Sequence, residues 1–469
     1  MKNKLIKSNI AMVVLTFFTQ IASFGLQLFL IKILSPEDFG IYSFLASSAI
    51  FFFLLSNIFN QTVFLKFQNE NKIYETIFSI NLYVGFVFMF FLSFFYLFFK
   101  DLKNLNDLHL IIFFFLCINF FLNNLNRVFE GYLQIKFEYA FIMKVNILSL
   151  LTVIITLILI KDLKLGVIML LIRELLNTFL IFIFYSKKCF PTLIYKFDLK
   201  LLKKLLLFSI NIFISELILI LNHRFPIMII SFFGNFSAVG LFERARFFAD
   251  STEQVTNNVF NRIGYTIYSN NEYNQNDVKN ILNNYLYIQS QLSCLIAILI
   301  FFNFSYFVTT FLGDKWIFIV DFISNLYLFV LFSGISSILE KYVLAKFKFI
   351  FYLNGLLIIF ISIAISIVFS VQFDDWALVC LGLSFGALIK FLYLAFISKD
   401  IVKKIYEIFI PIISIFSADI IIKNYFLINT IGTYILYVII QLLVILFYIV
   451  YFKKIYFLKK IITDILIRN

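Results

Sequence analysis

Glu216, His223 and Arg224 stand close together in the otherwise apolar run ISELILILNHRFPIMII. Seven positions separate Glu216 from His223, so on a helix both project from one face. A guanidinium such as Arg224 can grip a phosphate bidentately through its planar fork. An imidazole such as His223 gains and loses a proton near physiological pH and could couple proton movement to another event. Two structural alternatives stay open: an ion pair of Glu216 with Arg224, and a histidine that only packs. Pro226 cannot donate to the carbonyl of Asn222, so a kink is expected there, either static or part of a movement.

A second set lies just downstream in VGLFERARFFADSTEQVTNNVFNRI, residues 239–263. Glu243, Arg246, Asp250, Glu253, Asn257 and Asn261 recur at steps of three or four, and an apolar row led by Phe242, Ala245 and Ala249 runs beside them. Arg244 and Arg246 fall in the first turns. Arg173 with Glu174 next to it, and Lys390, interrupt two further apolar runs. Arg224, Arg244, Arg246, Arg173, Lys390 and Asn257 are therefore candidates to hold a cargo. Glu216, His223, Asp250, Glu253 and Glu174 are candidates for ion coupling or for neutralising those cations. Carboxylates accompany the basic groups throughout, so an anion site is permitted by the sequence and not required by it.

These residues need elements that hold them in a greasy setting. The chain of 469 residues is 62% hydrophobic and only 14% charged, with 68 Phe. Apolar runs long enough to span a bilayer recur from end to end, so the fold expected is all-α and polytopic. Candidate spans lie near 10–31, 41–64, 77–99, 108–130, 141–160, 166–185, 205–233, 239–263, 286–312, 317–339, 350–370, 377–397, 405–422 and 430–452. The amino terminus resembles a signal peptide but lacks a small-residue cleavage site, and reads as a retained first helix.

Only the polar stretch 239–263 would escape a hydropathy scan, and the basic residues decide its status. If it crosses, most of the 39 Lys and Arg residues fall on one side, and only Lys32, Lys100, Lys103, Lys161, Lys164, Lys315 and Lys423 on the other. If it lies on the surface, every later loop inverts. Basic residues accumulate on the cytoplasmic side of short loops, which favours fourteen spans with both termini cytoplasmic. A helix so polar tolerates the bilayer only where its wet face lines water or protein, so a hydrated cavity is expected. Burying each charge would otherwise cost about 2.5 to 3.5 kcal/mol.

The chain also repeats. Glu130-x-Tyr132-x-x-x-Lys136-Phe137 returns 210 residues later as Glu340-x-Tyr342-x-x-x-Lys346-Phe347, and Gly40-Ile41-Tyr42 returns after 200 as Gly240-Leu241-Phe242. This implies two parallel six-helix lobes at 1–185 and 205–398. A Lys-rich cytoplasmic linker, 186–204, joins them, and 399–469 supplies two more spans and a basic tail.

The formal charge of +13 sits in short connections between spans, which speaks for membrane orientation rather than nucleic acid. Cys117, Cys189, Cys294 and Cys380 share no metal or redox spacing and read as buried fillers. No nucleophile elbow, metalloprotease helix or phosphate-cradling glycine loop is present. Connections on the outer side are too short for the active site of a sugar polymerase or ligase. No cofactor or metal is implied.

Three stretches resemble the polysaccharide (O-antigen, Wzx-type) flippases of the multidrug/oligosaccharidyl-lipid/polysaccharide exporter superfamily: LSPEDFGIY at 34–42, the polar span opening with VGLF, and FLGDKW at 311–316. The resemblance covers essentially the whole chain. It implies a carrier of the bacterial cytoplasmic membrane that moves an undecaprenyl-pyrophosphate-linked oligosaccharide to the outer leaflet by alternating access. It also implies an ion gradient, H+ or Na+, as the driving force, and polysaccharide-assembly proteins as neighbours. Cavity charges vary too much in that family for a site to be transferred. A multidrug antiporter of the same fold, with Glu216, Asp250 and Glu253 as counter-charges, and an integral glycosyltransferase are the alternatives.

Overall fold

The protein is described here by a computed structural model covering residues 2–56, 72–102, 106–136, 138–163, 165–194, 199–250, 279–346 apart from scattered positions below 304, and 349–398. It is all-helical, as expected. Among the described residues seven helices are long and apolar enough to cross a membrane. The chain divides into two compact units, Met1–Glu243 and Arg244–Asn469.

The first unit holds α1 (Lys2–Ile33), α2 (Pro36–Ser56), α3 (Ile73–Leu102), α4 (Asp107–Ile135), α5 (Tyr139–Ile160), α6 (Val167–Cys189) and α7 (Leu199–Phe233). A further helix, α8, begins at residue 236. Its start is set by local chemistry that α2 shares. At α2, Ser35 is the N-cap: its Oγ accepts the Asp38 N–H at 3.2 Å, and Asp38 in turn accepts the Ser35 N–H at 3.0 Å. Pro36 occupies the first helical position, where its missing N–H costs nothing. At α8 the Asn235 side chain accepts the Ala238 N–H at 2.7 Å. Ser35 and Asn235 are 200 positions apart, the offset seen in the sequence.

Inside the helices, serine hydroxyls bond back to carbonyls three or four residues earlier, as Ser48 does to Phe44, Ser209 to Leu205 and Ser231 to Ile227. That lets a polar side chain sit among lipid and apolar neighbours without an orphan donor. Pro226 lies within α7, and the helix continues through it. At 35 residues α7 spans about 52 Å, well beyond a hydrocarbon core of about 30 Å. Its first turns carry exposed Lys200, Lys203 and Lys204.

α4 packs on α3, α6 and α2, and α7 packs on α2. Where α6 ends the chain is tied down. The Tyr74 hydroxyl donates to the Cys189 carbonyl, and the Ile194 N–H donates to Ser79 Oγ at 2.9 Å. Phe190 sits edge-on to Phe78, and Lys188 pairs with Glu138 at 2.9 Å. Burial raises the Cys189 thiol above its ordinary value, which Tyr74, Lys136 and Lys188 counter, so it stays protonated and inert. Cys117, Cys189 and Cys380 are free and buried.

The second unit contains α9 (Tyr327–Lys346), α10 (Phe349–Phe373) and α11 (Leu378–Ile397). α10 and α11 cross closely because Gly382 and Gly386 lie one turn apart, with Ser362 and Ile359 in the space their side chains would take. Ser362 Oγ donates to the Gly382 carbonyl at 2.7 Å across that crossing.

Candidate functional site

The structure gathers four of the polar residues of the first unit from three helices. Tyr42 on α2 is buried, and its phenol lies in the field of Glu174 and Arg173 on α6 and of Arg224 on α7. Of these groups Glu174 acts most strongly on the phenol. Arg173, Glu174 and Arg224 are half-buried. The charges acting on the phenol are two guanidinium groups and one carboxylate. The remaining positive charge suits an anion with several oxygens, such as a phosphate diester or pyrophosphate. α2 packs on both α6 and α7, and that packing brings the four residues together.

Glu216 and His223 are also on α7, Glu216 half-buried about two turns before Arg224 and His223 exposed beside it. Both have interaction partners of their own.

In the second unit the candidate cations are already engaged. Arg246 is buried, and its Nε meets Asp250 Oδ2 at 3.3 Å. The buried Arg244 lays its guanidinium over the Phe247 ring, 5.2 Å from the centroid. Lys390 on α11 forms a buried ion pair with Glu340 on α9. Glu253 and Asn257 lie outside the described residues.

Two features were not read from the sequence. Tyr42 was quoted only as part of the repeat; the signal was that its counterpart, Phe242, lacks the hydroxyl, so the phenol is a departure from the shared pattern. A polar seam in the second unit was missed as well. Gly334 leaves room for the Gln289 amide, which donates to Ser293 Oγ at 3.3 Å, while the buried hydroxyls of Ser333 and Ser336 have no partner among the described residues. In composition these residues were lost among long apolar runs.

Comparison with known proteins places this arrangement in a class. The chain superposes on a solved structure described as "Lipid II flippase MurJ, inward closed conformation" with a TM-score of 0.78 at 17% identity, covering 96% of this chain and 100% of that one. An inward-facing multidrug resistance MATE family transporter of the MOP superfamily follows with a TM-score of 0.56 at 13% identity, covering 84% and 96%. No curated protein sequence matches. The fold is therefore the one that these two transporters share. More narrowly, the chain belongs to the family described as "Polysaccharide biosynthesis protein", whose profile matches residues 29–321.

Proposed function

We propose that the protein flips a lipid-linked oligosaccharide, carried on undecaprenyl pyrophosphate, from the inner to the outer leaflet of a bacterial cytoplasmic membrane during cell-surface polysaccharide synthesis. The observation that carries this reading is the Tyr42, Arg173, Glu174 and Arg224 group, a half-buried cluster around a buried phenol, with more guanidinium than carboxylate, in a protein of the polysaccharide family. The guanidinium groups hold the pyrophosphate, the asparagine-bearing face of residues 239–263 meets sugar hydroxyls, and the prenyl tail stays in lipid. Fourteen spans, two lobes at 1–185 and 205–398 joined by 186–204, and cytoplasmic termini complete the proposed architecture. Alternating access is driven by H+ or Na+, with Glu216 and His223 as the coupling candidates of the first unit, and the cargo is delivered to polysaccharide-assembly proteins.

The test is a leaflet-resolved assay of a lipid-linked oligosaccharide in vesicles with and without the protein. Arg224→Ala should lower flipping by about tenfold or more, the effect of losing one charge-assisted contact of about 1.5 to 3 kcal/mol, at an unchanged amount of folded protein. Unchanged flipping would remove Arg224 from the cargo site.

A second reading, a multidrug antiporter, draws on the half-buried carboxylate that acts on Tyr42 and on the MATE-like fold. It expects loss of the protein to sensitise cells to cationic dyes while surface glycan is unaltered, the reverse of what a flippase expects.

A further inference from the structure

The polar seam of the second unit is drawn together by a glycine. A Cβ on Gly334 of α9 would stand 2.3 Å from Gln289 Nε2 and 3.3 Å from Ser293 Oγ, so the helical stretch that carries Gln289 and Ser293 lies directly on α9 at this point. Gln289, Ser333 and Ser336 are all buried. Gln289 Nε2 donates to Ser293, but Gln289 Oε1 and the hydroxyls of Ser333 and Ser336 have no hydrogen-bond partner among the described residues. Other buried serines here are satisfied locally: Ser337 donates to the Gly334 carbonyl at 2.8 Å and Ser290 to that of Tyr287 at 2.7 Å. A buried polar atom without a partner is costly, and one seam holds three of them.

Ser333, Ser336 and Glu340 follow at steps of three and four and so form one row on α9. At the end of the row Glu340 pairs with Lys390 of α11, whose stem runs over Gly355 of α10. Neighbours in such a row stand about 5 to 6 Å apart, the span that one water bridges with two hydrogen bonds of about 2.8 Å. Water both donates and accepts, which suits hydroxyls and an amide oxygen together. A metal cation suits them less. The oxygens of the seam are neutral, and the one carboxylate in the row is matched by Lys390, so no net negative charge offsets the loss of a cation's hydration.

We propose that the second unit binds a file of water molecules along α9, from Gln289 past Ser333 and Ser336 to the pair of Glu340 with Lys390, and that this water solvates the pair from inside the protein. The claim stands apart from the cargo assignment and concerns the second unit alone.

The test is the thermal stability of the full-length protein in detergent. In a dry seam an orphan hydroxyl is a cost and its removal stabilises; a hydroxyl that holds water contributes, and its removal destabilises. Ser333→Ala and Ser336→Ala should each lower the Tm by about 2 °C or more. Ser336→Ala should lower it less in protein that already carries Lys390→Met with Glu340→Gln, because the water then has no charges to serve. Native and Ser336→Ala protein should respond alike to sodium, potassium and choline chloride at equal ionic strength. A raised Tm in both serine variants overturns the water file. An equal fall in both backgrounds overturns its reach to the ion pair. A Tm that climbs with sodium or potassium in the native protein, and not in Ser336→Ala, replaces the water with a metal cation. If neither serine variant reaches the membrane, an experimental map that resolves waters decides: ordered density within hydrogen-bond distance of Ser333 Oγ and Ser336 Oγ supports the file, and a map without it overturns the proposal.

Discussion

Arg173, Arg224 and Lys390 have the same sign and all interrupt apolar helices, yet their surroundings differ. Arg173 and Arg224 act together with one carboxylate, Glu174, on the Tyr42 phenol, and the proposed function assigns their excess charge to the cargo. Lys390 is matched one to one by Glu340 inside the second unit. Removing one partner of a buried pair strands the other's charge and costs about 3 to 5 kcal/mol, whereas replacing both by neutral groups costs little. Lys390→Met should therefore lower the unfolding temperature of the detergent-purified protein markedly, and Lys390→Met with Glu340→Gln should recover most of the loss. A Lys390→Met protein of unchanged Tm that no longer flips cargo would instead put Lys390 in the binding site. The repeat sharpens this contrast. Glu130, the counterpart of Glu340, accepts a hydrogen bond from Gln134 at 3.1 Å, and the position matching Lys390 at the 210-residue offset is Leu180.

At the level of elements, the crossing of α10 and α11 depends on small residues. A methyl group at Gly382 would collide with the Ser366 hydroxyl and approach the Ser362 carbonyl to 2.8 Å. Lipid tails are as apolar as the side chains themselves, so helix association inside a bilayer depends on such close fits rather than on the hydrophobic effect. Gly382→Ala should destabilise the protein by about 1 to 3 kcal/mol, the usual range for overpacking, seen as a lowered Tm; Gly25→Ala should not. The end of α6 shows the same economy. Tyr74, Ser79 and Phe78 of α3 hold the chain from Cys189 to Ile194, so the opening residues of the Lys-rich segment are anchored to the first unit.

For the molecule as a whole, the placement of basic residues makes a claim about direction that chemical labelling can check. Asp314 is exposed in a turn that the charge distribution puts outside, and Lys187 is exposed at the end of α6, which it puts inside. A cysteine replacing Asp314 should react with an impermeant reagent on intact cells, and one replacing Lys187 only after the membrane is opened. The reverse pattern would invert the topology and with it the direction of transport.

The all-helical, many-span fold was open to reading because bilayer thickness imposes a length and a composition on each helix, and both are local properties. The repeat was open for a similar reason: Ser35-Pro36 to Gly40 and Asn235-Phe236 to Gly240 carry their caps and close-contact glycines at fixed spacing. Partnership was not local. Glu340 and Lys390 were both visible as charges in apolar runs, as were Glu174 and Arg224, but nothing in their spacing says which charges meet, since each contact joins helices distant in the chain. The sequence by itself determined which elements form and which residues they carry. Only the packing of α2 on α6 and α7, and of α9 on α11, decided which charges come together, because charge pairing inside a membrane depends on a few ångströms of separation that no one-dimensional pattern records.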